Sequence, residues 1–357
     1  MIKILHSADW HMDAPLGGFT HVQREFLRQK MLRLPDMIAD TAIREGCQLC
    51  LLSGDIFDGA YTKESAEAVY RALERMQIPV FVAPGNHDHI GTASPWVREL
   101  WPANVHIFSK QTITAQVIEE LDCRIYGAGY QSIECPGLLA DFQAGGNEKY
   151  ALMVLHADPT STASPYCPVT VNQIRDAGLD YVALGHIHTP GRFGAGAGMC
   201  AWPGCPMGHG YDETGIKGVL VVELEESAHV RFIPLDVPRF YDESAPAGDD
   251  PVGAVEALLP PGGSEDFFRI RLTGEVREGA MDRLNGRFGG YPNLRLLDET
   301  IPAGDIWETV GQDSLEGLYF KILQNAMEGQ DAQTVEALEL AARISRQILQ
   351  GREVELP

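Results

Sequence analysis

The chain has 357 residues, 45% of them apolar and 22% charged, which at roughly 150 residues per domain gives about two domains and ample material for a core, and excludes a disulfide-stapled miniprotein. Lys and Arg number 28 against 50 Asp and Glu, a net charge of -22 whose field repels polyanions at long range and, taken alone, argues against nucleic acid. Divalent ions bound in a site can reverse that sign locally.

MIKILHSADW enters an apolar segment directly, without the basic and apolar regions of a secretion signal. No uncharged apolar run reaches the ~18 residues of a membrane span. The chain is read as cytoplasmic with no membrane contact, and its seven Cys, odd in number and irregularly spaced, as free thiols. Cys47 and Cys50 form a C-x-x-C inside the apolar run CQLCLLSG, with no second pair at zinc-finger spacing, and are read as core residues.

In chain order, short apolar runs fall at Ile2 to Leu5, Leu49 to Leu52, Val80 to Ala83, Ala151 to Leu155 and Tyr181 to Leu184, then Gly218 to Leu224 and Val230 to Leu235. Helical patterns lie between them, such as Glu64 to Met76 with Ala68, Ala72, Leu73 and Met76 on one face. The alternation predicts a layered α/β architecture. Pro, Gly and acidic residues over 236–253 read as a linker. After it, Phe268, Ile270 and Leu272 alternate as a strand, a helical piece runs from Ala280 to Phe288, and a second strand begins at Asn293, a β-α-β outline. Leu315, Leu318, Tyr319, Ile322, Leu323 and Ala326 then fall on one helical face, and Val335 to Leu349 on another.

The chemistry follows the first five apolar runs. Asp9 and His11 come after the first, Asp55 and Asp58 after the second, and Asn86, His87 and Asp88 after the third. His156 closes the fourth, and His186 and His188 follow the fifth. Ligands of α/β proteins bind at the carboxyl ends of strands, so these loops are expected to meet in one cleft. Carboxylate, amide and imidazole donors without thiolate suit two divalent ions such as manganese, iron or zinc, with Asp55 as the carboxylate between them. Asp58 and Asp88 are read as acids that orient an imidazole. His89, next to GNHD, and His209, in a Gly-rich loop, are candidate substrate contacts. His6 reads as a satisfied core group, and His21, His106 and His229 as surface or packing residues.

The set DWH, GDIFD, GNHD, a lone His and GHIH resembles the calcineurin-like metallophosphoesterase superfamily over roughly the first 235 residues. KILHSADWHMDAPLGG, YVALGHIHTPGRF and WPGCPMGHGYDETGIKGVLVVEL narrow the resemblance to the DNA repair exonucleases of the SbcD/YhaO type. It implies a layered metallophosphoesterase β-sandwich flanked by helices over residues 1–240, a small α+β capping domain over 254–312, and a C-terminal helical segment over 313–351. It assigns Asp9, His11, Asp55 and His188 to one metal and Asp55, Asn86, His156 and His186 to the other, and leaves His87, held by Asp88, for catalysis. A phosphodiesterase that cleaves DNA by metal-activated hydroxide attack on phosphorus, with manganese as the expected ion, follows from it.

Six Arg at 269, 271, 277, 283, 287 and 295 against Glu275, Glu278 and Asp282 make a locally basic segment in which Arg269 and Arg271 are candidate phosphate contacts. Arg24, Arg28, Lys30 and Arg33 form a smaller one. The alternatives are an esterase acting on a small phosphodiester, a nucleotide or a phosphoprotein, and an inactive scaffold, which would show eroded ligands. The resemblance implies that the C-terminal helices dock a coiled-coil ATPase of the SMC type; a homodimer contact is the other use for them. No G-x-x-x-x-G-K-[ST] loop occurs here, so ATP dependence would come from that partner.

Overall fold

The computed structural model describes residues 1–349 except 196–197, 262–263, 277–278 and 303–306. The chain divides into two compact units, Met1–Phe240 and Tyr241–Pro357. No helix among the described residues is long and apolar enough to cross a membrane.

The first unit runs β1 (Ile2–Ser7), α1 (His21–Glu45), β2 (Leu49–Leu52), α2 (Lys63–Met76), β3 (Val80–Val82), α3 (Pro95–Arg98), β4 (Val105–Ile107), β5 (Thr114–Ile118), β6 (Cys123–Gly127) and β7 (Tyr150–His156). It continues with α4 (Val171–Asp176), β8 (Tyr181–Gly185), β9 (Gly191–Ala195), β10 (Gly198–Trp202), β11 (Gly218–Leu224) and β12 (Ala228–Pro234). One six-stranded sheet has the order β12-β11-β1-β2-β3-β4 and the other β5-β6-β7-β8-β10-β9. Strands β1 to β4 are mutually parallel, as are β6, β7 and β8, so within each set the carboxyl ends share one edge.

The sheets face each other across a core in which Ile2, Ile4, Leu49, Leu51 and Leu220 of one meet Ile125, Leu152, Val154, Tyr181 and Ala183 of the other. Each fully buried aliphatic there contributes about 1.5–3 kcal/mol. Period-2 alternation sends Leu5, Cys50, Leu52, Val80 and Val82 to the opposite face of the first sheet, where they are equally buried. This double burial is why these strands read as unbroken apolar runs. Helix α1 begins at a capping box between Thr20 and Gln23 and ends at Gly46 in the left-handed conformation, two signals that fix its length. It packs on α2.

The second unit carries β13 (Phe240–Pro246), α5 (Pro251–Glu256), β14 (Phe267–Val276), α6 (Ala280–Phe288), β15 (Leu294–Pro302), α7 (Leu315–Ala326) and α8 (Ala332–Leu349). β14 and β15 pair in parallel around the α6 crossover, the β-α-β pattern read over 268–297, and β13 adds the third strand. Ile270, Leu272, Leu284 and Phe288 form the core with Ala245, Ala247 and Val255. The segment read as a linker over 236–253 therefore contains a strand and the start of a helix. Two of its acidic residues have structural work: Asp242 is the carboxylate that Arg269 and Arg271 of β14 grip, and Asp250 caps α5.

Candidate metal centre

Where β1 and β2 end, their loops keep running side by side. Asp9 N donates to Gly54 O at 3.0 Å, His11 N to Asp55 O at 3.0 Å and Met12 N to Ile56 O at 2.9 Å. Along these loops the backbone is left-handed at Asp9 (φ 54°), His11 (φ 46°) and Asp55 (φ 51°), and after β8 at His186 (φ 86°). Such residues cost of order 1–3 kcal/mol each and persist where surrounding structure over-determines them. Here the side chains themselves do so: His186 N donates to both Asp9 oxygens at 3.0 and 3.1 Å, and His87 N to Asp55 Oδ1 at 2.9 Å. Gly85 makes room, because a Cβ there would overlap the Asp55 carboxylate and the His156 ring.

The donor atoms converge in two groups, Asp9 with His11 and His188, and Asp9 with Asp55 and His156, each with its atoms within 4.8 Å of one another. Asp9 belongs to both groups, and Asp55 Oδ2, 3.2 Å from His156 Nε2 and 3.8 Å from His11 Nε2, reaches both as well. Asn86 Oδ1 is 2.9 Å from His156 Nε2. His186 sets its ring against His156, centroids 5.1 Å apart, and against Tyr166 at 4.7 Å.

Hydrogen bonding on the far side of each ring shows what the near side offers. His156 Nδ1 donates to Ser53 O at 3.0 Å, so its Nε2 points a lone pair at the oxygens of Asn86 and Asp55. His11 Nδ1 donates to Asp58 Oδ1 at 3.1 Å and His188 Nδ1 to Glu213 Oε1, which leaves the two Nε2 lone pairs facing each other at 3.1 Å. Acceptors so closely opposed call for positive charge between them, a metal ion or, without one, a proton on an imidazole. Burial raises the Asp9 pKa, and for Asp55 the same burial penalty is outweighed by His156 and His11, which hold it well below the usual carboxylate range. Burial opposes charge on His156 too, yet Asp55 and Asp9 lift it to about 9. Burial, reinforced by the neighbouring His156, pushes His186 down to about 4. The residues fit a pair of divalent ions with N and O donors.

His87 is half-exposed at the rim. Its Nδ1 is 2.5 Å from Asp58 Oδ1, a bond that raises its pKa above the ordinary imidazole value. Asp58 thus serves His11 and His87 together, and those two bonds hold its own pKa low. Asp88, expected to hold His87, does something else. It accepts from Ile56 N at 2.9 Å, Gly85 N at 2.7 Å and Trp96 Nε1 at 2.9 Å, stitching the GDIF and GNHD loops together from beneath. The carboxylate that meets the His87 ring is Asp58.

The expected substrate contacts are engaged within the protein. His89 Nδ1 donates to Asn86 O at 3.0 Å. His209 has Glu213 Oε2 at 2.9 Å from one ring nitrogen and Trp10 O at 3.2 Å from the other, leaving no nitrogen for a ligand. Arg269 and Arg271 both grip Asp242, Arg271 also approaching Glu299 at 3.6 Å, and Arg287 pairs with Glu256. Carboxylates of neighbouring strands and of α5 thus pair with three of the six arginines in the basic segment. Arg283 and Arg295 are exposed, and Arg277 and Glu278 lie outside the described residues. The residue missed from sequence is Glu213, which touches His188 from 25 positions away with no spacing to signal it.

Residues 2–190 match the calcineurin-like phosphoesterases. The chain is 32% identical over 236 residues to YhaO of Bacillus subtilis, an uncharacterized metallophosphoesterase, covering 62% of this chain and 57% of that one, less than two thirds of the relative's length. It is 22% identical over 350 residues to the D component of the SbcCD nuclease of Staphylococcus epidermidis, covering 84% of this chain and 86% of that one. A dimetal phosphatase from Danio rerio aligns over 65% of this chain and 95% of its own at 16% identity, with a TM-score of 0.43. The matched segment is more than half of the chain and contains nearly every donor just described, and the chain belongs to the calcineurin-like phosphoesterase family of metal-dependent hydrolases.

Proposed function

We propose that the protein is a two-metal phosphodiesterase that cleaves DNA. The observation that carries this reading is the pair of donor groups joined by Asp55 Oδ2. Asp9, His11, Asp55 and His188 hold one ion, and Asp55, Asn86, His156 and His186 the other, manganese being the ion that suits these donors in this family resemblance. When bound, such ions supply charge against the phosphate oxygens and acidify an attacking water.

The chain's own residues complete the chemistry. Asp58 keeps a proton on His87 Nδ1 and leaves Nε2–H at the rim, where it protonates the departing sugar oxygen. Asp58 thereby couples His87 to His11 through one oxygen. DNA as substrate is supported by the relation to a nuclease component, and the rival is a small phosphodiester turned over by the same residues. In the second unit, 254–312 serves as the capping domain and 313–351 as the helical segment. Leu315, Leu318 and Ile322 of α7 stand 85%, 56% and 58% exposed, an uncovered apolar row suited to a coiled-coil ATPase of the SMC type, a homodimer contact being its rival. The protein works in the cytoplasm.

The test is hydrolysis of end-labelled single- and double-stranded DNA with manganese, beside a generic aryl phosphodiester. Manganese-dependent DNA cleavage is expected, with His87→Ala lowering turnover about 100- to 10,000-fold while metal content is kept. Turnover of the aryl ester with intact DNA would reject the substrate, and unchanged turnover in His87→Ala would reject the acid.

A further inference from the structure

Between β10 and β11 the chain makes a long loop whose start is laid on the end of the GHIH segment. Cys205 N donates to His188 O at 3.2 Å, and Gly204, at φ +73°, permits the approach, since a Cβ would meet His188 O at 2.6 Å. The loop then turns back, with Glu213 N donating to Gly210 O at 3.1 Å, and delivers a carboxylate whose side chain is 10% exposed. Both of its oxygens are used. Oε1 accepts from His188 Nδ1, and Oε2 accepts from His209 N at 2.7 Å and faces His209 Nδ1 at 2.9 Å. His209 in turn reaches Trp10 O at 3.2 Å, in the loop that carries Asp9 and His11. One carboxylate therefore ties the His188 ring to the backbone on the opposite side of the centre.

On the reading that these loops hold two divalent ions, we propose that Glu213 is the positioning residue for His188. It keeps the proton on Nδ1, aims the Nε2 lone pair at one ion, and braces that aim through His209 against the Trp10 carbonyl. Asp58 does the same for His11, so the two imidazoles that face each other at 3.1 Å are each backed by a carboxylate. A carboxylate behind a ligating imidazole fixes its tautomer and raises its basicity, and removing one typically weakens metal binding 10- to 100-fold. His188, Cys205 and Glu213 also lie close enough together to suggest an ion of their own. The Cys205 thiol is instead turned to His188 O at 3.6 Å, so the group is a hydrogen-bonded brace.

Titration calorimetry of the metal-free full chain with manganese tests the assignment. Wild type should take up two ions. Glu213→Gln, nearly isosteric but carrying an amide in place of one acceptor, should weaken one of them about 10- to 100-fold and leave the other within about threefold. Glu213→Asp, which retains the carboxylate at shorter reach and covers the case in which the Gln variant fails to fold, should fall between. In turnover of an aryl phosphodiester, the manganese concentration for half-activation should rise in step, with kcat at saturating manganese within about threefold of wild type, a split that a general loss of packing would not produce. Two ions at wild-type affinity in the variants, or equal weakening of both, would overturn the assignment of Glu213 alone. A third ion in wild type that Glu213→Gln abolishes would overturn it in favour of a separate site. A wild-type chain that binds fewer than two ions would overturn the two-metal reading and this proposal with it.

Discussion

Asp58 and Asp88 lie at neighbouring places in the site and perform opposite kinds of work. Asp88 is 2% exposed and accepts from backbone and indole donors of both loops; replacing it with Ala strands several buried donors, each costing about 1–3 kcal/mol. Asp88→Ala should therefore lower the unfolding free energy by about 3 kcal/mol or more in urea titration, whereas Asp58→Asn should leave stability within about 1 kcal/mol and depress turnover. Equal stability losses in the two variants would contradict this division. His6 gives a second prediction. Buried between Tyr181 OH at 2.8 Å and Ser53 Oγ at 2.7 Å, it is pushed by desolvation down to about 3. Unfolding restores its ordinary affinity near 6.5, so the unfolded chain binds a proton that the folded chain refuses, and stability falls as pH drops from about 6.5 toward 3. The slope is about 1.4 kcal/mol per pH unit. His6→Gln should flatten the pH dependence of the urea midpoint between about pH 6 and 4 by one proton, and parallel slopes would refute the assignment.

At the scale of elements, β1, β2, β3, β7 and β8 could be read from sequence because burial on both faces makes each an apolar run. β5, at the end of its sheet, carries exposed Gln116 and Val117, and β9 and β10 begin at Gly191 and Gly198; edge position and glycine remove the pattern that marks a strand. β13 hides for a related reason, its Asp242 being the cross-strand partner of Arg269 and Arg271. The donor residues were readable because each follows a readable strand. Of their supports Asp58 was readable, lying in the GDIFD loop itself, but Glu213 with His188, and Trp10 with His209, join residues far apart in the chain, pairings that only the assembled loops create. Helix α7 leaves Leu318 and Ile322 exposed, so Leu318→Glu with Ile322→Glu should shift stability by no more than about 0.5 kcal/mol and, on the proposed docking of a coiled-coil ATPase there, abolish co-migration with it in gel filtration. Retained co-migration would place the contact elsewhere.

For the whole molecule, the charge of -22 that first argued against nucleic acid becomes a question of local sign. Asp9, Asp55 and Asp58 gather carboxylates where a phosphate would arrive. Bound divalent cations would make such a cleft attractive to a phosphodiester. On the proposed function, the chemistry of the cleft depends on two ions meeting at Asp55. Anomalous diffraction at the manganese edge from crystals grown with manganese is the most direct measurement of it. Two peaks about 3.5–4 Å apart, both in contact with the Asp55 carboxylate, are predicted; a single peak, or a pair that Asp55 does not join, would contradict it.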